Sequence, residues 1–600
     1  MPPVTKDQVA EILQAIARLL ELKDENVFKI RAYTNAARAL DAFSGDLARA
    51  AAEEKLGEIP GIGKAIAEKI TLLVTTGELP YYRELQQQFP PGLFELLELQ
   101  GLGPKKIKAL WEKLNITTIE ELEKGCQDGR VAGLPGFGKK TAVNILTAIG
   151  ARQKHSGRFT LGAIAADAEQ ILDDLRQHPE VARVSVCGSY RRRKEIVGDL
   201  DFLVSTRAPE AVSDFFIRHA MVESVLVRGA TKSSVHLRSG IQADLRVVKD
   251  TEYPFALNYF TGSKEHNIVI RQRALARGWT LNEYRLEEAP KVEEPVEDGA
   301  PRSRPARKLK VEAQPIPTIN DEADLYRALG LQYIEPELRE DRGEVAAAAT
   351  GELPALVEFS NLRGAFHSHT TSSDGRSTLA EMIHAAQDAG LQYLGIADHS
   401  KSSFQAHGID AERLLAQAAE IRALNAGYEG RFKVFAGSEV DILRDGSLDF
   451  PDEVLAQLDY TVASVHAVFN LPEAEMTRRI IQAISNPYVT MLGHLTGRLL
   501  LTREGYPVDV PAVIEAAAGT GTIIELNASP WRLDLDWRWW PLAKEKGVKC
   551  SINPDAHHTS QLDYLWYGIG AARKGWLTKQ DVVNCLPLGE IEPVLRAKRK

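Results

Sequence analysis

Polar residues of the kinds that bind metal ions follow short apolar runs in the part of this chain beyond residue 360. The runs are AFH, YLGIADH, VFAGSE, TVASVH, VTMLGH, TIIELN and CSIN, and helical stretches at 378–389, 411–425 and 473–484 lie between some of them. Strands that alternate with helices predict a parallel barrel of the (β/α) kind, here with seven strands. Catalytic side chains of such barrels lie at the carboxyl ends of the strands, where these polar residues fall.

The residues at these strand ends form a mixed histidine and acid set. It consists of His367, His369, Asp374, His399, Glu439, His466, His494, Asp555 and His557. Imidazole and carboxylate together suit Zn²⁺, Mn²⁺ or Fe, and the absence of cysteine argues against a purely structural zinc site. One histidine at a strand end is more often a packing residue, but a set of this size favours a metal centre. Three further histidines fit no ligand position and are expected to be structural, namely His384, His407 and His558.

A glycine hairpin recurs in the first 150 residues, in EIPGIGKAIAEKI, LQGLGPKKIKAL and GLPGFGKKTAVNI. Glycine lets the backbone turn sharply before a helix, so that amides and the helix dipole face a DNA phosphate, and lysine adds charge without reading sequence. Tight helix packing is the alternative for one copy, whereas three copies favour DNA binding. They resemble helix-hairpin-helix motifs. The predicted DNA contacts are Gly61, Gly63, Lys64, Gly101, Gly103, Lys105, Gly136, Gly138 and Lys139.

Three acids in the middle of the chain have the spacing of a nucleotidyl-transfer site. Asp199 and Asp201, in GDLDFLV, are two apart on a predicted strand, so both carboxylates project from one face. Asp244, in IQADLRVV, lies on the strand expected beside it. Three such carboxylates can hold two Mg²⁺ ions about 4 Å apart, the geometry for in-line attack on a nucleotide α-phosphate. The alternative, a sheet edge kept soluble by acids, is disfavoured because apolar residues flank the acids.

The turn before this strand is suited to phosphate groups. Gly188 and Ser189 offer backbone amides and a hydroxyl to the β- and γ-phosphates, and Arg192 adds positive charge. GSYRR followed by GDLD resembles the signature of the family X DNA polymerases, to which mammalian repair polymerase beta belongs. The resemblance covers residues 5–341. It implies a nucleotidyltransferase palm with a mixed sheet and synthesis across short gaps in DNA, in the setting of base excision repair.

The segment ALNYFTGSKEHNIVIRQRALARGWTLNEY resembles the thumb of the same family. The resemblance implies contacts with the incoming nucleotide or the template for Tyr259, Phe260, Gly262, Lys264, Asn267 and Arg271. Lys264 departs from polymerase beta, which has an acid at the matching position. The stretch 318–341 resembles the closing segment of the thumb, so 286–317, rich in proline and charge, is expected to be a flexible insertion.

A lysine in AIAEKI bears on a second activity of that family. Lys69 falls where polymerase beta has the Schiff-base nucleophile that removes deoxyribose phosphate. Lys29 and Tyr33 also fit that pocket. However, Phe28 replaces a histidine, and Glu78 begins a segment that is basic in polymerase beta. The resemblance therefore implies at most a weak lyase, and the alternative is a helix lysine that only touches phosphate.

The strand-end ligands resemble those of the PHP family, named for polymerase and histidinol phosphatase, over residues 355–590. The resemblance implies three metals, held by His367, His369, Glu439 and Asp555, by Glu439, His466 and His494, and by Asp374, His399 and His557. It implies metal-dependent 3′–5′ exonuclease activity on DNA, with a 3′-phosphatase or AP endonuclease as the alternative. Arg498 and Arg503 are candidates for holding the DNA backbone.

A polymerase core followed by a PHP barrel is the layout of the bacterial family X polymerases. The predicted fold is multidomain, with α+β and α/β parts: helix-hairpin-helix domains at 1–90 and 91–155, a palm at 156–255, a thumb at 256–342 and a (β/α)7-type PHP barrel at 343–600. The expected partners are gapped or nicked DNA and dNTPs, and the expected cofactors are Mg²⁺ at the polymerase acids and Mn²⁺ or Zn²⁺ in the barrel. Rival hypotheses are a small-molecule phosphatase with a DNA tether and a non-catalytic repair scaffold.

Composition limits the setting in which the chain works. The net charge is −9, so phosphate contacts must come from local basic patches. The beginning, MPPVTKDQVAEIL, lacks the apolar core of an export signal, and no run of about 18 apolar residues follows. The cysteines form no CxxC pair, which fits a reducing compartment. We expect a monomeric cytoplasmic protein, associated with the bacterial nucleoid and without contact with a membrane.

Overall fold

The computed structural model describes residues 6–41, 47–53, 55–59, 61–90, 92–97, 99, 102–155, 157–289 and 315–599. The chain divides into two compact units, Met1–Ser156 and Gly157–Lys600. Most of the predicted insertion at 286–317 lies outside the described residues. Within them, no helix is long and apolar enough to cross a membrane.

The described part of the first unit is helical, as the sequence predicted. In α1, Leu13, Ile16 and Leu20 recur every three or four residues and are buried, which gives the helix one apolar face. The faces of neighbouring helices complete the core. The helices are α1 Lys6–Leu22, α2 Val27–Asp41, α3 Leu47–Ala52, α4 Lys64–Thr76, α5 Pro80–Gln86, α6 Gly92–Leu97, α7 Pro104–Leu114, α8 Ile119–Gln127 and α9 Gly138–His155.

The second unit begins with a mixed sheet. Its strands and helices are β1 Phe159–Thr160, α10 Leu161–Gln177, β2 Val181–Val186, α11 Gly188–Arg191, β3 Ile196–Val197, β4 Asp199–Thr206, α12 Pro209–Ile217, β5 Val222–Val227, β6 Lys232–Leu237 and β7 Gln242–Val248. The main sheet has the order β2-β4-β7-β6-β5, in which β4 and β7 are parallel and the other pairs antiparallel. A mixed sheet is what the resemblance to the palm implied. Strand β5 lies at the edge of this sheet, and its residues are largely exposed.

A helical segment follows the sheet. It consists of α13 Tyr253–Thr261, α14 Lys264–Leu275, β8 Trp279–Leu281, β9 Leu286–Glu288, α15 Glu322–Ala328 and α16 Glu344–Thr350. Ile270, Trp279 and Leu325 are buried in its core. The flexible insertion predicted at 286–317 is wrong in its first residues. Strand β9 there pairs antiparallel with β8, and Leu286 is buried.

The rest of the second unit confirms the predicted alternation of strands and helices. The strands are β10 Gly364–Ser368, β11 Tyr393–Ile396, β12 Lys433–Ala436, β13 Glu439–Asp441, β14 Val462–Ser464, β15 Met491–Leu492, β16 Ile523–Asn527 and β17 Cys550–Asn553. The helices are α17 Leu379–Asp388, α18 Ala411–Asn425, α19 Asp452–Leu455, α20 Glu473–Ile484, α21 Val510–Thr520, α22 Trp540–Glu545, α23 Leu565–Lys574 and α24 Leu588–Leu595. The run VFAGSE gives two strands, because Gly437 and Ser438 interrupt it.

All the pairings among these strands are parallel, within two sheets of order β10-β11-β12 and β13-β14-β15-β16-β17. Two parallel bridges connect the sheets, one between Ser368 and Ala556 and one between His399, just after the middle strand β11, and Glu439. Bulky buried rings, including Phe366 and Tyr460, pack together in a core of their own. The carboxyl ends of β10 to β17 consequently converge on one small region.

The mixed sheet, the helical segment and the parallel sheets pack against one another in the second unit. Arg193 lies 3.6 Å from the ring centroid of Trp566, in α23. Trp537 donates a hydrogen bond from Nε1 to Glu195 at 3.2 Å, and Arg342 lies 5.3 Å from the centre of its ring. The sequence analysis treated these segments as separate domains and did not predict this contact.

Candidate active sites

The first site lies on the two parallel strands at the centre of the mixed sheet. Asp201 on β4 is paired directly with Asp244 on β7, and Asp199 precedes Asp201 by two residues on the same strand. The structure therefore brings the three predicted carboxylates together. Lys232, on β6, lies with its Nζ 2.7 Å from Asp244 Oδ2, a cation contact that the sequence analysis did not identify.

The charge at these carboxylates is only partly balanced. Burial, followed by repulsion from Asp199 and Asp244, raises the pKa of Asp201 to about 7. Burial and Asp244 also raise the pKa of Asp199. At Asp244 burial acts in the same direction, but hydrogen bonds led by that from Lys232 outweigh it and lower the pKa. Carboxylates that are close enough to repel one another favour a bound cation, and a site with only oxygen ligands suits Mg²⁺.

The predicted phosphate-binding turn lies beside these acids. Gly188 begins α11 with a φ of +60°, and a Cβ at that position would lie 2.6 Å from Asp201 Oδ2, so the close approach requires glycine. Ser189 follows it in the same short helix. Arg192, just past the helix, donates from Nη1 to the carbonyl of Thr261 and from Nε to Glu340 Oε1 at 3.0 Å.

The predicted nucleotide contacts of the thumb lie on α13, on α14 and between them. The rings of Tyr259 and Phe260 pack edge to face with centroids 5.1 Å apart, and Arg271 lies 5.1 Å from the Tyr259 ring centroid. Asn267 donates to the Tyr259 carbonyl, and its buried Oδ1 has no hydrogen-bond partner. An acceptor left free in this way is available to a ligand. Lys264 is exposed at the first position of α14.

The turn between α13 and α14 and an arginine of β7 also belong to the surroundings of these residues. Gly262 has a φ of +72°, and a Cβ there would lie 3.0 Å from Arg192 Nη1, so the turn brings the thumb against the phosphate-binding turn. Arg246, on β7, lies 5.0 Å from the ring centroid of Phe260. The sequence analysis did not select Arg246, although its position two residues after Asp244 puts it on the same face of the strand.

The glycine hairpins precede helices in the first unit, as predicted. Gly61, Gly136 and Gly138 have positive φ values. Gly63 and Gly103 differ from the expectation of a sharp glycine turn, because both have ordinary negative φ values and cap the amino ends of α4 and α7. The predicted lysines follow within the first two residues of their helices, at Lys64, Lys105 and Lys139. Gly101 lies outside the described residues.

The candidate lyase lysine lies among aromatic rings. Lys69, on α4, has its Nζ 5.2 Å from the Tyr81 ring centroid and donates to the carbonyl of Ala65. Tyr81 stacks on Tyr33, with ring centroids 6.3 Å apart. Lys29 is paired with Glu25 at 3.0 Å. The predicted group is therefore assembled, but one of its cations is already balanced by a carboxylate.

The second site contains the nine predicted ligands, gathered around Glu439 at the carboxyl ends of the parallel strands. Glu439 Oε1 lies 3.2 Å from His367 Nε2, 3.2 Å from His466 Nε2 and 2.9 Å from His494 Nε2. Its Oε2 lies 3.0 Å from His399 Nδ1. A carboxylate in contact with four imidazoles has the arrangement of a bridging ligand.

The remaining ligands lie on either side of this centre. Asp555 Oδ1 lies 3.3 Å from His369 Nε2, and Asp374 Oδ1 lies 3.4 Å from His557 Nε2. Ligand atoms within 4.8 Å of one another form three groups: His369, Asp374, His399 and His557; His367, His369 and Glu439; and His399, Glu439 and His466. These groups differ from the predicted sets in sharing His369 and His399 between neighbours, and they do not include His494 and Asp555.

Two of the predicted ligands have a backbone conformation that is energetically unfavourable for residues other than glycine. His367, on β10, has a φ of +56°, and Asp555, just after β17, has a φ of +53°. Left-handed residues of this kind persist where the surrounding structure holds them, often at functional sites. The parallel bridge between Ser368 and Ala556 fixes the backbone next to both residues.

Buried acids that were not predicted orient the histidines. Glu525, on β16, accepts a hydrogen bond from His367 Nδ1. The neighbouring Asn553 also donates a hydrogen bond to Glu525, at 2.8 Å. Asp441, on β13, is hydrogen-bonded to His466 Nδ1. Such bonds leave the other ring nitrogen of each histidine facing the centre. An acid within an otherwise apolar strand run, as in TIIELN, was the available signal.

Buried imidazole nitrogens that make no aligned hydrogen bond indicate that this centre suits metal ions. Some of them lie at ion-pair distance from Glu439 or Asp555, and they are His367 Nε2, His369 Nδ1, His369 Nε2, His399 Nδ1 and His494 Nδ1. Burial lowers the pKa of His466, but Glu439 and Asp441 outweigh it and raise that pKa to about 10. Carboxylates that draw protons so strongly would draw divalent cations too, and the mixed nitrogen and oxygen donors suit Mn²⁺ or Zn²⁺.

A cavity of about 540 Å³ opens onto these ligands. Arg503 and Arg532 line it together with Phe469 and the exposed Phe404, which is 87% accessible. Arg532 and Phe404 were not predicted. Arg498, predicted to hold the DNA backbone, is instead paired with Asp536 and bonded to the carbonyls of Arg532 and Leu533. The cavity thus offers ligands, two cations and an aromatic rim.

Comparison with known proteins covers both sites. Five family profiles match the chain in order: a helix-hairpin-helix domain at 4–79, a SAM-like helix-hairpin-helix tandem at 93–151, the DNA polymerase beta palm at 163–249, the DNA polymerase beta thumb at 256–340 and the PHP domain at 365–529. The first site lies in the palm and thumb matches, and most of the second lies in the PHP match.

Individual relatives match either the whole chain or the second site alone. The Bacillus subtilis (strain 168) DNA polymerase/3′-5′ exonuclease PolX is 38% identical over 593 residues, which are 98% of this chain and 99% of that protein. Probable phosphatases of Thermoanaerobacter sp. (strain X514) and Thermoanaerobacter pseudethanolicus are 31% identical over 246 residues, 39% of this chain and 94% of theirs. Similarity to the phosphatases is thus limited to part of the chain.

Proposed function

This chain belongs to the family X DNA polymerases with a C-terminal PHP domain, and we propose that it fills short gaps in DNA and removes nucleotides from 3′ ends during base excision repair. The observation that carries the proposal is the presence of two separate acidic centres in one compact unit. One contains the paired Asp201 and Asp244, and the other contains Glu439 among its histidines. The substrates are gapped or nicked DNA and dNTPs.

In the polymerase half, the side chains orient the reactants. The carboxylates of Asp199, Asp201 and Asp244 would hold two Mg²⁺ ions. Gly188, beside Asp201, would direct its backbone amide to the nucleotide phosphates, and Asn267 would offer its free Oδ1 to the base or sugar. When bound, the ions of both centres activate the attacking oxygen and neutralise charge on the phosphate.

In the PHP half, the nine ligands would hold up to three Mn²⁺ or Zn²⁺ ions. Arg503 and Arg532 face the cavity over these ligands and would pair with the phosphates of the DNA strand. The glycine hairpins of the first unit would bind the DNA backbone independently of sequence. We propose the domain limits 1–90, 91–155, 156–255, 256–342 and 343–600, and a monomer as the working form.

Exonuclease activity is favoured over phosphatase or AP endonuclease activity by the rim of the cavity. Phe404 is exposed next to the ligands, where the terminal base of a single strand would stack on its ring. Stacking of this kind contributes about 1–3 kcal/mol per base. In removal of a 3′-phosphate no base lies beyond the bond that is cut, so Phe404→Ala should slow digestion of a 3′-hydroxyl strand much more than it slows removal of a 3′-phosphate.

A pair of assays tests the two centres. Primer extension on a one-nucleotide gap and digestion of a labelled 3′ end are measured for Asp201→Asn and for Asp555→Asn. The first change should abolish extension and keep digestion, and the second should do the reverse, because each change removes a carboxylate that its centre needs to hold a metal ion. Circular dichroism and thermal melting check that both variants are folded. Loss of both activities through either change contradicts a two-centre enzyme.

The lyase activity is proposed to be weak and to depend on Lys69. Its neighbours supply little free positive charge for a 5′-phosphate, because Lys29 is paired with Glu25. Borohydride trapping on a 5′-deoxyribose-phosphate substrate should give little adduct, and Lys69→Ala should remove it. Arg31→Ala, a nearby charge change on α2, is the control. Efficient trapping that survives Lys69→Ala overturns the assignment.

A further inference from the structure

A buried lysine of the PHP half contacts the polymerase half. Lys574, the last residue of α23, is 1% exposed. Its Nζ donates to Glu340 Oε1 at 2.6 Å, to the carbonyl of Arg192 at 3.2 Å and to the carbonyl of Glu337 at 3.3 Å. The ammonium group has three donors. All of them are therefore directed at residues of the palm and the end of the thumb.

The contact with Glu340 continues to the nucleotide site. Arg192 Nε donates to the same Oε1 atom of Glu340 at 3.0 Å, so one carboxylate oxygen holds both cations. The guanidinium also donates to the carbonyl of Thr261, and its Nη1 lies where a Cβ of Gly262 would be 3.0 Å away. Arg192 is thus fixed between the phosphate-binding turn and the thumb.

This arrangement makes the orientation of Arg192 depend on Lys574. A buried carboxylate that is paired with two cations is held in place. A carboxylate that is paired with only one cation can move together with that cation. Without Lys574, Glu340 would pair with Arg192 alone and reduce the positive charge available to a phosphate. The carbonyl of Arg192 would also lose a hydrogen-bond donor.

We propose that Lys574 is a positioning residue of the polymerase site, which through Glu340 and the Arg192 carbonyl holds the Arg192 guanidinium ready for the triphosphate of the incoming nucleotide. The proposal rests on the proposed polymerase function. It means that the domain carrying the exonuclease also completes the nucleotide site. Lys574 itself does not touch the substrate.

A neighbouring ion pair provides a matched control. Arg573 precedes Lys574 in α23 and is paired with Glu337 at 2.8 Å, so it joins the same two segments of chain. Neither Arg573 nor the side chain of Glu337 contacts Arg192 in the described structure. A role limited to packing the segments together predicts similar effects for the two pairs, whereas positioning predicts an effect for the Lys574 pair alone.

The experiment compares full-length Lys574→Met with Arg573→Met. The Michaelis constant for dNTP and kcat are measured by primer extension on a one-nucleotide gap, and 3′ digestion is measured in parallel. We expect Lys574→Met to raise the Michaelis constant about tenfold, the effect of roughly one lost hydrogen bond to a charged group, with little change in kcat or digestion. Lys574→Arg should restore much of the loss. Arg573→Met should leave the Michaelis constant close to that of wild type.

A double variant covers the case in which Lys574→Met does not fold. Glu340→Gln with Lys574→Met removes the buried carboxylate together with the buried lysine, which is tolerated better than leaving either of these charges alone, and it leaves Arg192 with an amide oxygen as acceptor. Its control is Glu337→Gln with Arg573→Met. The proposal is overturned if the Michaelis constant is unchanged in the Lys574 variants. It is also overturned if the constant rises equally in a Lys574 variant and in its Arg573 control. Absence of extension by the wild-type protein would contradict the proposed polymerase function instead.

Discussion

Glu525 Oε2 lies 2.5 Å from His367 Nδ1, and both side chains are fully buried. The bond orients the imidazole so that Nε2 faces Glu439 and Asp555. Glu525 is not itself among the proposed ligands. It therefore supports the metal centre by fixing the ring orientation and the tautomer of a ligand.

We predict that Glu525→Gln weakens metal binding more than it weakens chemistry. An amide can still accept the hydrogen bond, but it lacks the charge that makes His367 a strong ligand, and losses of about 10- to 100-fold in affinity are typical. Digestion should need more Mn²⁺ to reach half its maximal rate, and excess Mn²⁺ should restore it. Extension on gapped DNA is the internal control. A rate that excess Mn²⁺ cannot restore would assign Glu525 another role.

Digestion and extension should respond differently to metal ions. Imidazole ligands favour Mn²⁺ or Zn²⁺, whereas the carboxylates around Asp201 favour Mg²⁺. Mn²⁺ added to a Mg²⁺ reaction should therefore increase 3′ trimming more than synthesis, and Asp555→Asn should remove the increase. Equal stimulation of both reactions would contradict a histidine-rich exonuclease centre.

Lys264 should strengthen nucleotide binding before metal or DNA arrives. It is exposed at the beginning of α14, near the predicted nucleotide contacts. A lysine over a nucleobase contributes about 0.5–2 kcal/mol, or roughly 2- to 30-fold in affinity. Without Mg²⁺, the dNTP dissociation constant of Lys264→Asp should be higher than that of wild type. Lowering the salt concentration should decrease this constant less in Lys264→Asp than in wild type. Lys249→Asp is the control and should change the constant little. An unchanged constant in Lys264→Asp makes Lys264 an ordinary surface residue.

Glu322 should stabilise the thumb against acid. It is buried between Arg191, at 2.9 Å, and Arg339. Burial raises the pKa of Glu322, but the two arginines outweigh it and lower that pKa to about 2. Because the folded pKa is depressed, this stabilisation is complete above the unfolded value near 4.5 and is lost as the pH falls towards 2.

The corresponding variant is Glu322→Gln, which leaves two buried arginines without their carboxylate. It should lower the unfolding free energy at pH 7 by about 3–5 kcal/mol. The difference from wild type should shrink between pH 4.5 and pH 2, as followed by denaturant unfolding. Asp173→Asn, in an exposed pair with Arg176, should cost at most about 1 kcal/mol. A difference that stays constant over this pH range would contradict the role of the Glu322 charge.

The sequence was sufficient to predict features that depend on local periodicity. The two-residue spacing of Asp199 and Asp201 and the position of Asp244 in an apolar run predicted carboxylates on adjacent strands. The apolar runs beyond residue 360 likewise located the parallel strands. In each case the chemical signal and the strand that carries it lie within a few residues.

Contacts between distant segments could not be predicted in the same way. Lys574 and Glu340 are 234 positions apart, and neither lies in a motif. Glu525 lies in an apolar strand run, but the sequence does not show that its partner is His367, 158 positions away. Arg498 was assigned to DNA because a basic residue follows a ligand motif, but sequence does not tell on which side of the loop the guanidinium lies, and Asp536 binds it.

The bond from Trp537 to Glu195 bears on how such a gene can be rearranged. A reading frame cut after the thumb would expose to water Glu195, which accepts the bond from Trp537, and Arg342, which packs on the ring of Trp537. Loss of the nuclease by deletion therefore requires compensating changes in the palm. A point mutation among the predicted metal ligands leaves this covered surface intact, so the nuclease chemistry should be easier to lose by substitution than by deletion.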